Sequence, residues 1–106
     1  MTSETATARF TSFAEFYPFY LAEHANRACR RLHFVGTSLA LLLVVLAAAL
    51  RRPWLLAAAL GVGYGLAWIG HFVFAGNRPA TFTHPLYSLR GDWAMWRDIL
   101  LGRIRW

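Results

Sequence analysis

Residues 34–50, "FVGTSLALLLVVLAAAL", and 54–76, "WLLAAALGVGYGLAWIGHFVFAG", contain no formally charged side chain and are separated only by Arg51, Arg52 and Pro53. Apolar stretches of roughly 17–25 residues are long enough, as helices, to cross the hydrocarbon core of a bilayer. Two arginines and a proline stop one helix and start the next, because proline is tolerated in a first helical turn. A link this short forces the two spans to be antiparallel neighbours. The expected fold is therefore an all-α membrane protein, a two-span helical hairpin within a single domain covering residues 1–106. Residues 1–9 are expected to fray, and they lack the basic-then-apolar order of a cleaved leader.

Composition narrows the function. Hydrophobic residues make up 58% of the chain and charged residues 15%, too apolar for an ordinary soluble domain. All eleven basic residues are arginines, giving a formal charge of +6. They flank apolar runs instead of lining one soluble face, which argues against a nucleic-acid partner. Arg51 and Arg52 lie at the hairpin tip, and the other nine lie at the open end. The positive-inside rule then predicts cytoplasmic termini, in a bacterial inner membrane or, in a eukaryote, the endoplasmic reticulum.

The flanking segments read as interfacial. Phe13, Phe16, Tyr17, Phe19 and Tyr20 crowd around Pro18, which is expected to kink or restart a helix. Leu86, Leu89, Trp93, Trp96 and Leu100 recur at spacings of three and four, the apolar stripe of an amphipathic helix that stops near Gly102. In the second span, Gly61 and Gly65 form a G-x-x-x-G pair with Gly63 and Gly70 nearby, a surface that Gly36 and Ala40 of the first span are placed to meet. Two thin spans also make a homo-oligomer plausible. Cys29, the lone cysteine, forms no intrachain disulfide and reads as a small buried apolar side chain.

The four histidines gather at the open end. His33 precedes the first uncharged run, His71 lies near the end of the second, and antiparallel packing brings them to similar depth. His24 and His33 are nine residues apart, on opposite faces of an unbroken helix, and converge only if the chain breaks between them. Asn26 in "ANRA" is a suitable N-cap for that break. Imidazole ligates iron, zinc, copper and nickel, and ionisable groups at membrane depth are usually functional. The set predicts one metal site built from His24, His33, His71 and His84. Glu23 and Asp92 are candidates to orient an imidazole, although Asp92 equally suits a helix N-terminal cap. In "NRPATF", Asn77 closes the second helix, and Arg78, like Arg90, is a candidate for holding a carboxylate.

"FYPFYLAEHANRACRRLHFVGT" and "GHFVFAGNRPATFTHPLYSLRGDWAMW" together resemble the family of small membrane proteins typified by the yeast 2-hydroxy-fatty-acid dioxygenase, from about Phe16 to Trp96. The resemblance implies an Fe2+-dependent enzyme that uses O2 to cleave a long-chain 2-hydroxy fatty acid to the acid one carbon shorter. The family's motif histidines fall on His24, His33, His71 and His84. Relatives commonly carry Glu-Lys or Glu-Gly just before the Asn-Arg-Pro, where this chain has Ala75 and Gly76. The competing expectations are a haem-binding electron carrier, with two histidines as axial ligands, and a non-catalytic membrane scaffold.

Overall fold

The computed structural model describes residues 10–106, and the expected fraying of residues 1–9 lies outside it. Among the described residues the chain is entirely helical. Helix α1 spans Phe13–Glu23, α2 Arg27–Leu50, α3 Trp54–Ile69 and α4 Pro85–Leu100. Helix α3 runs on into a π-helical segment, Gly70–Ala75, and a 3-10 turn, Ala80–Phe82, precedes α4.

The hairpin is formed by α2 and by α3 with its π-helical extension. Arg27–Leu50 and Trp54–Ala75 are both long and apolar enough to span a membrane, and only 22% of the most apolar window of each is buried within the protein. A core helix of a soluble protein would be covered far more completely, so the exposed remainder supports membrane association. At about 1.5 Å per residue, α2 is ~36 Å long, enough for a core of about 30 Å. Arg51 caps α2 in the left-handed region at φ 54°, and the chain re-enters a helix after Pro53.

The expected glycine pair does not pack the spans together. A Cβ added at Gly61 or Gly65 meets nothing within 4 Å. The close approaches are elsewhere: a Cβ at Gly36 would stand 3.2 Å from the Gly63 carbonyl oxygen, and one at Gly70 would stand 3.0 Å from Cys29 Cα. Gly63 and Gly70 are seven residues apart, two helical turns along the inner face, whereas Gly61 and Gly65 point outward.

The two flanking helices pack against each other. Phe16 and Tyr20 are fully buried and form a small core with Met95 and Ala80. These two aromatics pack α1 onto α4, with Phe13, Tyr17 and Phe19 partly buried around them. Helix α1 also runs through Pro18 without restarting, from a Ser12 cap whose hydroxyl accepts from the Glu15 amide. In α4 Leu86, at 82%, and Leu100 are exposed, and Leu89 and Trp93 are exposed at the rim of a cavity. Trp96 donates to the Ser38 hydroxyl of α2, while Ser88, Gly91, Ala94, Met95 and Asp98 turn inward. Gly91 lets the helix approach so closely that a Cβ there would stand 2.9 Å from the Tyr20 ring. The helix end is pinned by Asp98, which accepts from the Tyr17 hydroxyl at 2.7 Å and pairs with Arg97 and Arg103 at 3.1 and 3.4 Å.

Candidate metal centre

Local structure explains how the imidazoles converge. The chain breaks after His24, and Asn26 caps α2 by accepting the Cys29 amide at 2.9 Å. His24 is thereby freed from the helical register that carries His33. On the other side, His71 lies within the π-helical segment, where a wider turn re-aims side chains and is frequent at functional sites. Gly76, at φ 69°, ends that segment in the left-handed region, which a residue with a Cβ would adopt only with strain.

His24 and His71 meet with their Nε2 atoms 3.0 Å apart, both rings buried. Their protonation follows from their other contacts. His24 Nδ1 is 2.7 Å from the Tyr20 carbonyl oxygen, so Nδ1 carries the hydrogen and donates. Asn77 Nδ2 donates to the Glu23 carbonyl at 3.0 Å, which fixes the amide orientation. Asn77 Oδ1 is then the atom 2.7 Å from His71 Nδ1, and His71 Nδ1 is the donor there. Both neutral rings consequently turn Nε2 lone pairs toward each other. Such a contact requires a proton or a metal cation between them. Burial, reinforced by the nearby His33 and His71 rings, pushes the His24 pKa well below the usual histidine range and disfavours the proton.

A metal fits this spacing. Imidazole–metal bonds of about 2.0–2.1 Å with ligand angles of 90–109° put the two nitrogens about 2.8–3.4 Å apart. Axial ligands on opposite sides of a haem would be about 4 Å apart with a macrocycle between them, farther apart than the facing nitrogens of His24 and His71. Cys29, fully buried, completes the group: one ligand atom from each of His24, Cys29 and His71 lies within 4.8 Å of the others. Cys29 is the residue that sequence reasoning passed over. Its signal was the spacing to His33, four residues and one helical turn along the same face of α2.

His33 borders the pair, its ring centroid 4.8 Å from that of His24 and 6.2 Å from that of His71. Its Nε2 faces Asp92 Oδ1 at 3.1 Å, and the same oxygen accepts the Tyr20 hydroxyl at 2.5 Å. Asp92 is thus an interior residue of α4 that orients an imidazole, and not the helix cap. With Nε2–H donating to the carboxylate, His33 keeps its lone pair on Nδ1. Tyr20 ties the centre together: its ring stacks on His24 at 4.1 Å, its carbonyl orients that ring, and burial holds its hydroxyl protonated.

The remaining expected residues lie elsewhere. His84 packs its ring against Phe10, Phe16 and Phe19, with Nδ1 2.9 Å from the Thr83 hydroxyl. Arg78 and Arg90 lie over the rings of Phe82 and Phe13 at 5.3 and 4.4 Å, and neither lines the cavity beside the histidines. Glu23 contributes its backbone carbonyl to Asn77, while burial raises the pKa of its carboxyl group.

That cavity, about 360 Å³, opens beside His24, His33 and His71 and continues between α2 and α3 to Val44 and Leu56. Its polar end also carries Asp92, Thr81 and Ser88, whose two hydroxyls are 3.2 Å apart. The rest is mostly apolar, with Thr37, Tyr64 and Trp68 among its lining, and its volume is that of a small-molecule site.

A family profile described as 2-hydroxy-palmitic acid dioxygenase Mpo1-like matches residues 10–104. No curated protein and no solved structure matches the chain significantly.

Proposed function

The chain belongs to the 2-hydroxy-palmitic acid dioxygenase Mpo1-like family, and on that basis we propose that it is an iron(II)-dependent dioxygenase. It cleaves long-chain 2-hydroxy fatty acids to the acid one carbon shorter, within the membrane and with both termini cytoplasmic. With O2 as sole oxidant the reaction balances as hydroxy acid plus O2 giving the shorter acid, carbon dioxide and water. The observation that carries this reading is the pair of Nε2 lone pairs facing each other at 3.0 Å at the head of an apolar cavity.

In this reading His24 and His71 hold the ion through Nε2, with Cys29 and the Nδ1 face of His33 as the adjacent donors. The donor set suits several transition metals, and iron is favoured by the activity described for the family. Bound iron would supply activation of O2 and a chelation point for the hydroxyl and carboxylate of the substrate. The protein's own contributions are positional. Asn77 and the Tyr20 carbonyl fix the tautomers of the two ligands, Asp92 fixes His33, and the Thr81 and Ser88 hydroxyls offer donors to a bound head group.

The test is oxygen uptake by anaerobically iron-loaded protein. One O2 consumed per 2-hydroxyhexadecanoate, with one carbon dioxide released, is expected. Uptake that proceeds equally with unhydroxylated hexadecanoate refutes the reading.

A further inference from the structure

The cavity is not shaped like a closed pocket. Its α2 wall is Thr37, Ala40 and Val44, a stripe at spacings of three and four that begins at His33. Its α3 wall includes Leu60, Gly63 and Ala67, a similar stripe that ends at His71. Each stripe thus leads along one helix face from the hairpin tip to an imidazole. At the rim, Leu60 is 64% exposed and Val44 44%, on surface that faces lipid if the spans are inserted. The floor is kept low by small residues: a Cβ built on Gly63 would already be in contact with Ala40 Cβ at 3.5 Å.

We propose that this slot holds the alkyl tail of the substrate, entered sideways from the bilayer, with Gly63 keeping it open. The inference rests on the dioxygenase reading for the identity of the substrate and adds where its tail lies. From His33 to Val44 is eleven positions, about 16 Å of helix. An extended alkyl chain advances about 1.25 Å per carbon when its bonds are about 1.5 Å, so the slot accommodates about 13 carbons beyond the head group. From His71 back to Gly63 is eight positions, about 12 Å, or nine to ten carbons. A tail drawn from lipid is already in apolar surroundings, so the slot gains little from burying it. Its role is alignment, and obstruction acts by steric exclusion. Because the rim is open, a tail longer than the slot leaves through it into lipid instead of being rejected.

The first experiment needs no turnover. A long-chain fatty acid with a photoreactive diazirine about eleven carbons from its carboxylate is incorporated in phosphatidylcholine vesicles with the full chain and irradiated. Labelling is expected on the segments around Ala40–Val44 and Leu56–Gly63, reduced at least fivefold by excess 2-hydroxyhexadecanoate. Label spread evenly over outward residues such as Leu42 and Val45, or slot labelling that the hydroxy acid does not compete, overturns the proposal, the latter meaning that bulk lipid fills the slot. Loss of O2 uptake with competed slot labelling intact would instead count against the dioxygenase reading alone.

The second experiment compares tails. Leu60→Trp, at an exposed position on the α3 wall beyond Gly63, is expected to lower kcat/KM for 2-hydroxyhexadecanoate about tenfold or more, since one group too many in an apolar pocket has that effect. It should leave 2-hydroxyoctanoate, whose tail ends short of Gly63, within about twofold. Val44→Trp, at an exposed position where folding is not at stake, should impair only the longer substrate. Equal losses for both substrates in both variants overturn the proposal.

Discussion

Replacing Asn77 by alanine is the most informative perturbation of the centre, because Asn77 touches one proposed ligand and the segment that carries another. Its Oδ1 accepts from His71 Nδ1 at 2.7 Å, and its Nδ2 donates to the carbonyl of Glu23, next to His24. The variant leaves a carbonyl oxygen and an imidazole N–H without these partners. At roughly 1 kcal/mol per lost hydrogen bond, about 2 kcal/mol of stability should disappear. The effect on the metal should be separate and specific. Without the Oδ1 acceptor, His71 is free to move its hydrogen to Nε2, which removes the lone pair that faces His24. Residues of this kind typically change metal affinity by about 10- to 100-fold. The assay is anaerobic Fe2+ or Co2+ titration in detergent beside a thermal melt of the metal-free protein. A melt lowered by several degrees with unchanged metal affinity would refute the argument that Asn77 sets the ligand tautomer.

Further outcomes follow from particular contacts. Gly36→Ala should destabilise the hairpin by about 1–3 kcal/mol, because its Cβ stands 3.2 Å from Leu66 Cβ and the Gly63 carbonyl oxygen. Gly61→Ala, with open space around it, should be neutral or stabilising by up to about 1 kcal/mol; denaturation in mixed micelles compares the two. Burial alone would raise the Asp98 pKa, but the Tyr17 hydroxyl, Arg97 and Arg103 outweigh it and hold the carboxyl below its usual value. A depressed folded pKa stabilises fully above the unfolded value near 4 and loses that contribution as pH falls through the folded pKa. Asp98→Asn should therefore flatten stability against pH in that acid range, and an unchanged acid limb would contradict the assignment. Cys29→Ser should remove any sulfur-to-metal charge-transfer absorption from the Co2+ form, whereas His84→Ala should leave Co2+ affinity within about threefold, since a residue outside the ligand set perturbs it less than a partner of a ligand does.

The hairpin was legible because two uncharged runs and "RRP" leave few alternatives, and the break at Asn26 followed from the need to bring His24 and His33 together. The packing was less legible. A G-x-x-x-G motif reports small residues four apart and says nothing about which face meets the partner, so Gly61 and Gly65 were favoured over Gly63 and Gly70. For helix α4 the spacing marked the apolar stripe but not the face that packs against the protein. In a membrane protein the apolar face can turn to lipid while Ser88, Gly91 and Asp98 pack inward, and composition alone does not distinguish the two. Of the site, His24 and His71 meet, His33 lies beside them, and Asn77 and Asp92 hydrogen-bond to imidazoles. The π-helical turn that re-aims His71 has no sequence signature, and Cys29 was hidden by the ordinary burial of lone cysteines. Arg78 and Arg90 were chosen for charge, but their side chains lie over aromatic rings instead of entering the cavity.

Metal analysis of protein purified anaerobically from iron-replete cells bears most directly on the facing imidazoles. About one iron per chain in the wild type, reduced at least tenfold in both His24→Ala and His71→Ala while each variant still folds, is what two ligands on one ion require. Wild-type protein without metal, or metal retained in both variants, would contradict the account.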